Sequence, residues 1–182
     1  MGIGTTLPRS RPLTRADLES MPDDGHRYEL IDGSLIVTPA PGHYHQRAVG
    51  ELHLLLRQAC PPELEVLLAP FDVALADDTV MQPDLLVARR RDVTDRDLPT
   101  APVLAVEVLS PSTRRIDLTL KHSRFEAAGC ASYWVVDPKE PSFTAWQLID
   151  DAYVEVTHVV DDESHTVAQP YPVRIRPADL IR

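Results

Sequence analysis

The chain has 182 residues and a formal net charge of −10. A polyanion would be repelled at long range, so loose, charge-driven attachment to nucleic acid is excluded and any basic groove must act locally. The composition, 43% hydrophobic and 25% charged, is that of a globular protein long enough to bury a core. No stretch approaches the ~20 apolar residues of a membrane span, so no membrane partner is expected. The N-terminal stretch has no apolar segment of signal-peptide type. Cys60 and Cys130 form neither a metal-type spacing nor a disulfide framework, and a reducing cytoplasm is the expected location.

In chain order, residues 1–12 read as a flexible tail and 13–182 as a single domain. Thr14 predicts an N-cap for a short helix over residues 15–20, with Asp17 in the capping-box place. "RYELIDGSLIVTP" predicts a hairpin turning at Asp32-Gly33. A helix is expected over residues 43–60, stopped by Pro61-Pro62. "ELEVLLAPFDVALADD" is extended with an irregularity at Pro70, and strands follow near 84–88 and 103–109. The charged linker between them predicts an exposed loop. A second helix is expected over 114–128, ended by Gly129. Three more strands, "SYWVVD", "FTAWQLI" and "AYVEVTHVV", precede a short helix from Pro177. Strands and helices intermix, which predicts an α/β or α+β fold around a mixed sheet.

Two of these strands carry an acid where a fold should least want one. Asp84 opens the apolar run Leu85–Ala88, and Glu107 lies between Val106 and Val108. Near-continuous apolar runs mean strands covered on both faces. A carboxylate there must be paired, hydrogen-bonded or metal-bound. Taken singly, Asp84 could cap a turn after Pro83 and Glu107 could pair with an arginine. Together, they suit a hard cation such as Mg²⁺ or Mn²⁺. Lys121 follows on the next helix. At about 100° per residue it shares a face with Leu118, Phe125 and Ala128, flanked by Arg114 and Asp117. It could snorkel to water or reach the end of the Glu107 strand, and spacing leaves both readings open.

These residues resemble a known group. "QPDLLV" and "VLAVEVLSPSTRRIDLTLKHSRFEAAGCASYWVVDP", with "RYELIDGSLIVTPAPGHYHQRAVGEL" before them, are similar to the Uma-type family of bacterial proteins classed as restriction endonucleases, within the PD-(D/E)xK nuclease superfamily. The similarity spans residues 28–138, with a family-like antiparallel hairpin region beyond. It implies a restriction-endonuclease-like mixed sheet flanked by helices. By the resemblance, Asp84 matches the first metal-binding acid, Glu107 the acid of the (D/E)xK element, and the Val108 carbonyl a further ligand. The lysine of that element is missing, because its place holds Leu109. Lys121 is the implied substitute. Glu29, which strand alternation alone could leave exposed, becomes a third acid near the metal.

His45 shares a helix face with Ala48, Val49, Leu52, Leu55, Leu56 and Ala59. It is either a satisfied core histidine or an accessory group lining the site. His43 and His45 diverge by about 200° on a helix, so they cannot share a metal. Tyr133-Trp134 reads as packing and Asp137-Pro138 as a strand-ending turn, while Asp72 has no assigned role. Arg114, Arg115 and Arg124 after Glu107 are DNA-contact candidates, as are Arg89, Arg90 and Arg91 after Asp84. Solvated surface charge is the alternative for both groups. Cutting two strands needs two sites, so a homodimer is expected. The leading expectation is a divalent-metal-dependent DNA endonuclease using Asp84, Glu107 and Lys121. The alternative is a catalytically weak nuclease-like module that binds DNA or a protein. A metal phosphoesterase for small substrates has less support, because nothing reads as a nucleotide pocket.

Overall fold

The computed structural model describes residues 11–182. Helix α1 (Arg15–Leu18) leads into the hairpin β1 (Arg27–Ile31) and β2 (Ser34–Thr38). Helix α2 (His43–Ala59) is followed by β3 (Leu64–Leu68), β4 (Asp72–Ala76), β5 (Thr79–Met81) and β6 (Leu85–Arg89). Then come β7 (Asp97–Leu98) and β8 (Leu104–Val108). Two short helices, α3 (Arg114–Ile116) and α4 (His122–Ala127), are joined by a π-helical turn, Asp117–Lys121. Strands β9 (Ser132–Asp137), β10 (Ser142–Ile149), β11 (Ala152–Val160), β12 (His165–Val167) and β13 (Val173–Ile175) precede a 3-10 turn, Pro177–Leu180.

The architecture is α+β, with the strands divided among sheets rather than gathered in one. A six-stranded mixed sheet has the order β11-β10-β9-β8-β6-β3 and a five-stranded one the order β2-β1-β5-β4-β7, with β12-β13 as a separate pair. Strands β8 and β9 are parallel, so the helical segment between them is a crossover lying on the sheet. Strand β6 runs antiparallel to β8 with Leu85 opposite Val106. That register brings Asp84, just ahead of β6, beside Glu107 near the end of β8.

Both faces of the six-stranded sheet are covered, which explains the unbroken apolar runs. Leu85, Val87, Val106 and Val108 pack with Ala48, Leu52 and Leu56 of α2. The alternate residues Leu86, Ala88 and Ala105 pack with Phe125, Met81 and Ile31 on the opposite side. The first hairpin turns where Asp32 (φ 51) and Gly33 (φ 71) both adopt positive φ, as a two-residue type I′ turn requires. A Cβ on Gly33 would lie 2.4 Å from the Pro12 Cβ, so glycine is required there for space as well.

Several sequence expectations need correction. Helix α1 stops at Leu18, although Asp17 does accept the Thr14 N–H at 2.8 Å. The linker after β6 is not all exposed loop: β7 lies within it, with Asp97 and Leu98 buried against β4. Strand β5 and the β12–β13 pair had no counterpart in the sequence reading, being too short to show periodicity. The expected tail falls, for residues 1–10, outside the described residues. Arg11 within it pairs with Asp17 at 2.7 Å, and the Leu13 N–H donates to Gly33 O at 2.9 Å. Cys60 and Cys130 are free thiols. No helix among the described residues is long and apolar enough to cross a membrane.

Candidate functional site

Four acids from four elements meet where the two large sheets approach each other. Glu107 comes from β8 and Asp84 from just ahead of the neighbouring strand β6, Glu29 from β1 of the other sheet, and Asp117 from the π turn. All four are buried. Lys121, 2% exposed, enters from the end of the same π turn. Its Nζ lies 2.8 Å from Glu29 Oε1, 3.1 Å from Glu107 Oε1 and 3.8 Å from Asp117 Oδ1. The snorkelling reading of Lys121 therefore fails.

Phe125 is buried on the lysine's side as expected, but the π turn puts Asp117 there in place of Leu118. A turn of i→i+5 type is wider than an α turn, so residues four apart come nearly into line. Asp117, Lys121 and Phe125 point inward together, while Leu118, expected on the lysine's face, is 36% exposed. The Tyr133 hydroxyl donates to the Asp117 carbonyl at 2.8 Å and satisfies backbone inside this turn.

Asp84 has its own set of donors. Arg27 Nη1 and Nη2 both reach Oδ1 at 3.0 Å, while His45 Nε2 lies 3.0 Å and the Val108 N–H 2.9 Å from Oδ2. Glu29 Oε1 also accepts the Gln82 N–H at 2.7 Å. His45 thus lines the site instead of closing into the core, and His43 is exposed, so the two histidines do diverge. Glu29 is not the exposed residue that alternation allowed, because Leu30 and Ile31 beside it are buried too. Strand β1 is covered on both faces at that end.

Four carboxylates here face Lys121 and Arg27. Even with a protonated His45, one negative charge would be left over, and the acidities reflect this shortfall. Burial pushes Glu107 well above the usual carboxylate range; Lys121 pulls it back, while Asp117, Asp84 and Glu29 push it further up. Burial likewise raises Asp117 to about 6 against the pull of Lys121. Burial would raise Asp84 too, but the His45 hydrogen bond and charge, then Arg27 and Lys121, outweigh it and hold the group at about 2. Burial works to lower Lys121, and Glu107, Glu29, Asp117 and Asp84 overcome it, so the ammonium is held above its ordinary range. At neutral pH Lys121 is a fixed positive charge and donor, unsuited to taking up a proton.

Does this set of residues fit a divalent metal? Beyond the Lys121 ammonium, at 3.1 and 3.8 Å, the buried Glu107 Oε1 and Asp117 Oδ1 have no hydrogen-bond donor. Hard oxygen atoms with excess negative charge suit a hard cation. Among the described residues no three acid, imidazole or thiol groups close into a metal cage. Mg²⁺ commonly takes only one or two carboxylates and keeps its waters, so the site fits such an ion without a cage. These residues, with the Thr38–Gly42 and Ser110–Thr113 segments, line a cavity of about 190 Å³.

Over residues 15–176 the chain matches the family profile Uma2, described as "Putative restriction endonuclease". The protein belongs to the Uma2 family. No curated protein matches it. Among solved structures it is similar to a "putative nuclease belonging to DUF820" from Anabaena variabilis ATCC 29413, with TM-score 0.72 and 20% identity over 93% of this chain and 98% of that one. At that identity the likeness concerns the fold.

The basic residues of this Uma2 protein are mostly engaged. Arg114 pairs with Asp137, which ends β9 and also accepts the Lys139 and Glu140 N–H groups. Arg124 pairs with Asp32 at 2.6 Å. Arg115 is exposed. Arg89, Arg90 and Arg91 do not lie near the acids. Arg89 ends β6 and the other two follow it, about 16 Å from Asp84 at ~3.3 Å rise per residue, and the three pair with Asp92 and Glu65. Tyr133 and Trp134 are core residues, and Asp72 accepts from Gln82 Nε2 at 2.8 Å. Arg27 and Asp117 were missed as site residues. Arg27 is two residues before Glu29, on the same strand face, and that spacing could have flagged it. Asp117 gave only the ambiguous signal of standing four residues before Lys121.

Proposed function

We propose that this Uma2-family protein is a divalent-metal-dependent DNA endonuclease that hydrolyses phosphodiester bonds. The observation that carries the reading is the buried Lys121 ammonium, in contact with Glu29 and Glu107 and sharing one small cavity with Asp84. Asp84 and Glu107 hold Mg²⁺ or Mn²⁺, with the Val108 carbonyl as a further donor and Glu29 and Asp117 supplying charge. When bound, the ion would polarise the phosphoryl oxygens and lower the pKa of a coordinated water.

The chain's own residues do the remaining work. The fixed charge of Lys121 favours the extra negative charge of the pentavalent phosphate and can donate to the attacking water. His45 and the Val108 N–H fix the orientation of Asp84. Arg27, already at the cavity, can turn from Asp84 toward a phosphate oxygen. Arg114, Arg115 and Arg124, which follow Glu107, would supply contacts to the DNA backbone, Arg114 and Arg124 on leaving Asp137 and Asp32, and a homodimer in the cytoplasm would present two such sites. The second reading, a weakly catalytic module that binds DNA or a protein, is favoured by two observations. Leu109 stands in the usual lysine's place, and Asp84 is fully engaged by Arg27, His45 and Val108.

Incubation of purified protein with supercoiled plasmid, with Mg²⁺, with Mn²⁺ and with chelator, tests the two readings. Nicking or linearisation only with metal, absent in Glu107→Gln, is expected. Tight DNA binding with no cutting under either metal would leave the second reading standing.

A further inference from the structure

Arg27 stands where the charge of the site meets open space. It lies two residues before Glu29 on β1 and lines both the 190 Å³ cavity and a larger one of about 550 Å³. Its Nη1 and Nη2 converge on a single oxygen, Asp84 Oδ1, each at 3.0 Å, and Nη1 also donates to the Gln82 carbonyl at 3.1 Å. Arginine holds a carboxylate most firmly by matching its nitrogens to both oxygens. That pairing is blocked here, because Oδ2 already has the Val108 N–H at 2.9 Å and His45 Nε2 at 3.0 Å.

An ionised carboxylate offers about four acceptor sites. Among the described residues, Asp84 has two contacts on each oxygen, and these fill them. A divalent ion on Asp84 therefore requires one donor to leave. The Val108 N–H belongs to the backbone of β8 and is fixed. The His45 ring sits on a short stem and is 11% exposed. Arg27 reaches Asp84 on a long flexible stem, is 20% exposed and has open space beside it. It is the donor able to move.

We infer that Arg27 is a latch on the metal site: its guanidinium holds the place of the cation on Asp84 Oδ1, and its release couples the binding of a divalent ion to that of a phosphodiester. The inference rests on the metal-dependent nuclease reading and names what links the two ligands. Arg27 drawn off Asp84 keeps only the neutral Gln82 carbonyl, and a partly buried cation without an anion is unfavourable. A phosphodiester supplies that anion, so Arg27 leaves Asp84 more readily when one is present. A phosphodiester arriving alone meets the charges of Asp84, Glu29, Glu107 and Asp117 while Arg27 is committed to the first of them. Each ligand thus raises the affinity of the other, by the same factor in both directions. The full set of partners on Asp84 is then a resting state of a metal ligand.

The test measures the Mn²⁺ affinity of the full-length protein by calorimetry, with and without dimethyl phosphate as the simplest phosphodiester. In the wild type, dimethyl phosphate should tighten Mn²⁺ binding by about 5–150-fold, the usual span of such couplings. Arg27→Met, which keeps the length of the side chain and removes its charge, should bind Mn²⁺ more tightly than the wild type by a factor of the same size when no diester is present. It should gain far less from adding the diester. The wild type also carries a test of its own, which decides the matter even if Arg27→Met does not fold. Followed by NMR, the Arg27 guanidinium signals should shift on saturation with Mg²⁺. Equal Mn²⁺ affinity in wild type and Arg27→Met, or guanidinium signals unmoved by saturating Mg²⁺, overturns the latch and leaves the nuclease reading standing. No Mn²⁺ bound by either protein, with or without the diester, overturns the metal reading of the site and the latch with it.

Discussion

At one end of β6 and β8, Asp84, Glu107 and Lys121 are buried together with Glu29 and Asp117. At the other end of β6, Arg89, Arg90 and Arg91 face Asp92 and Glu65 from exposed positions, with separations of 3.3–3.9 Å. The same residue types meet at similar distances under opposite solvation. Exposed pairs are screened by water and contribute about 0–1 kcal/mol each. The buried cluster has no water to absorb an imbalance, so each charge there depends on its neighbours. A fold keeps such a cluster at a cost to stability, which is why it reads as a functional site and the arginine run reads as surface.

The largest effect that would sharpen this contrast is expected from Lys121→Ala. Three acids lose their nearest cation, so stability measured by urea unfolding at pH 8 should fall by about 3–5 kcal/mol. Plasmid cleavage should fall by about 10²–10³-fold with DNA affinity nearly kept. Lys121→Arg keeps the charge and should restore part of the rate, consistent with an ammonium that does not act as a base.

Glu107→Gln should act in the opposite sense on the metal-free protein. It removes the acid most disfavoured as an anion, so stability at neutral pH should rise by about 1 kcal/mol or more. Calorimetry should at the same time show Mn²⁺ binding lost. Unchanged Mn²⁺ affinity would remove Glu107 from the ligand set.

The pH dependence follows from the signs. Asp117 is raised to about 6 in the folded protein, so its contribution to stability falls as pH rises from the unfolded value, about 4, to 6. Asp84 is lowered to about 2, so its contribution is full above about 4 and is lost as pH falls toward 2. The metal-free protein should therefore be most stable near pH 4–5, roughly 2–3 kcal/mol above its value at pH 8 from Asp117 alone. Asp117→Asn should lessen the fall between pH 4 and 6 without abolishing it, because Glu107, raised as well, contributes a fall that begins at its own unfolded value and continues to higher pH. A fall unchanged in that variant would assign it to another group.

The smallest effect is expected at the far end. Arg90→Ala should change stability by less than about 1 kcal/mol and leave the cleavage rate unaltered. A marked loss of rate there would break the comparison and extend the DNA path to that end.

How much of this could be read in the sequence differs from residue to residue. Asp84 and Glu107 stood out because an acid inside an apolar run contradicts its surroundings. The long helix α2 and the Asp32-Gly33 hairpin were readable because a 3.6-residue period and a positive-φ turn are local properties. The separation into two sheets was not, since pairing such as Leu30 with Val80 joins residues far apart in the chain. Glu29 was ambiguous alone, because alternation presumes one solvated face and β1 has none at that end. Of the neighbours expected for Lys121, Phe125 holds and Leu118 does not, because a fixed 100° per residue fails across the π turn.

The lysine cluster also has an order in time. Glu29, Asp84 and Glu107 leave the ribosome before Lys121 does, and their strands belong to two different sheets. Until residue 121 emerges, closing those sheets would bury three acids around no ammonium. A nascent chain arrested short of that point should keep the junction open and wet, and pulse proteolysis should cut it readily. Burial of those acids thus waits on Lys121, and the six-stranded sheet is completed only when β9, β10 and β11 follow it.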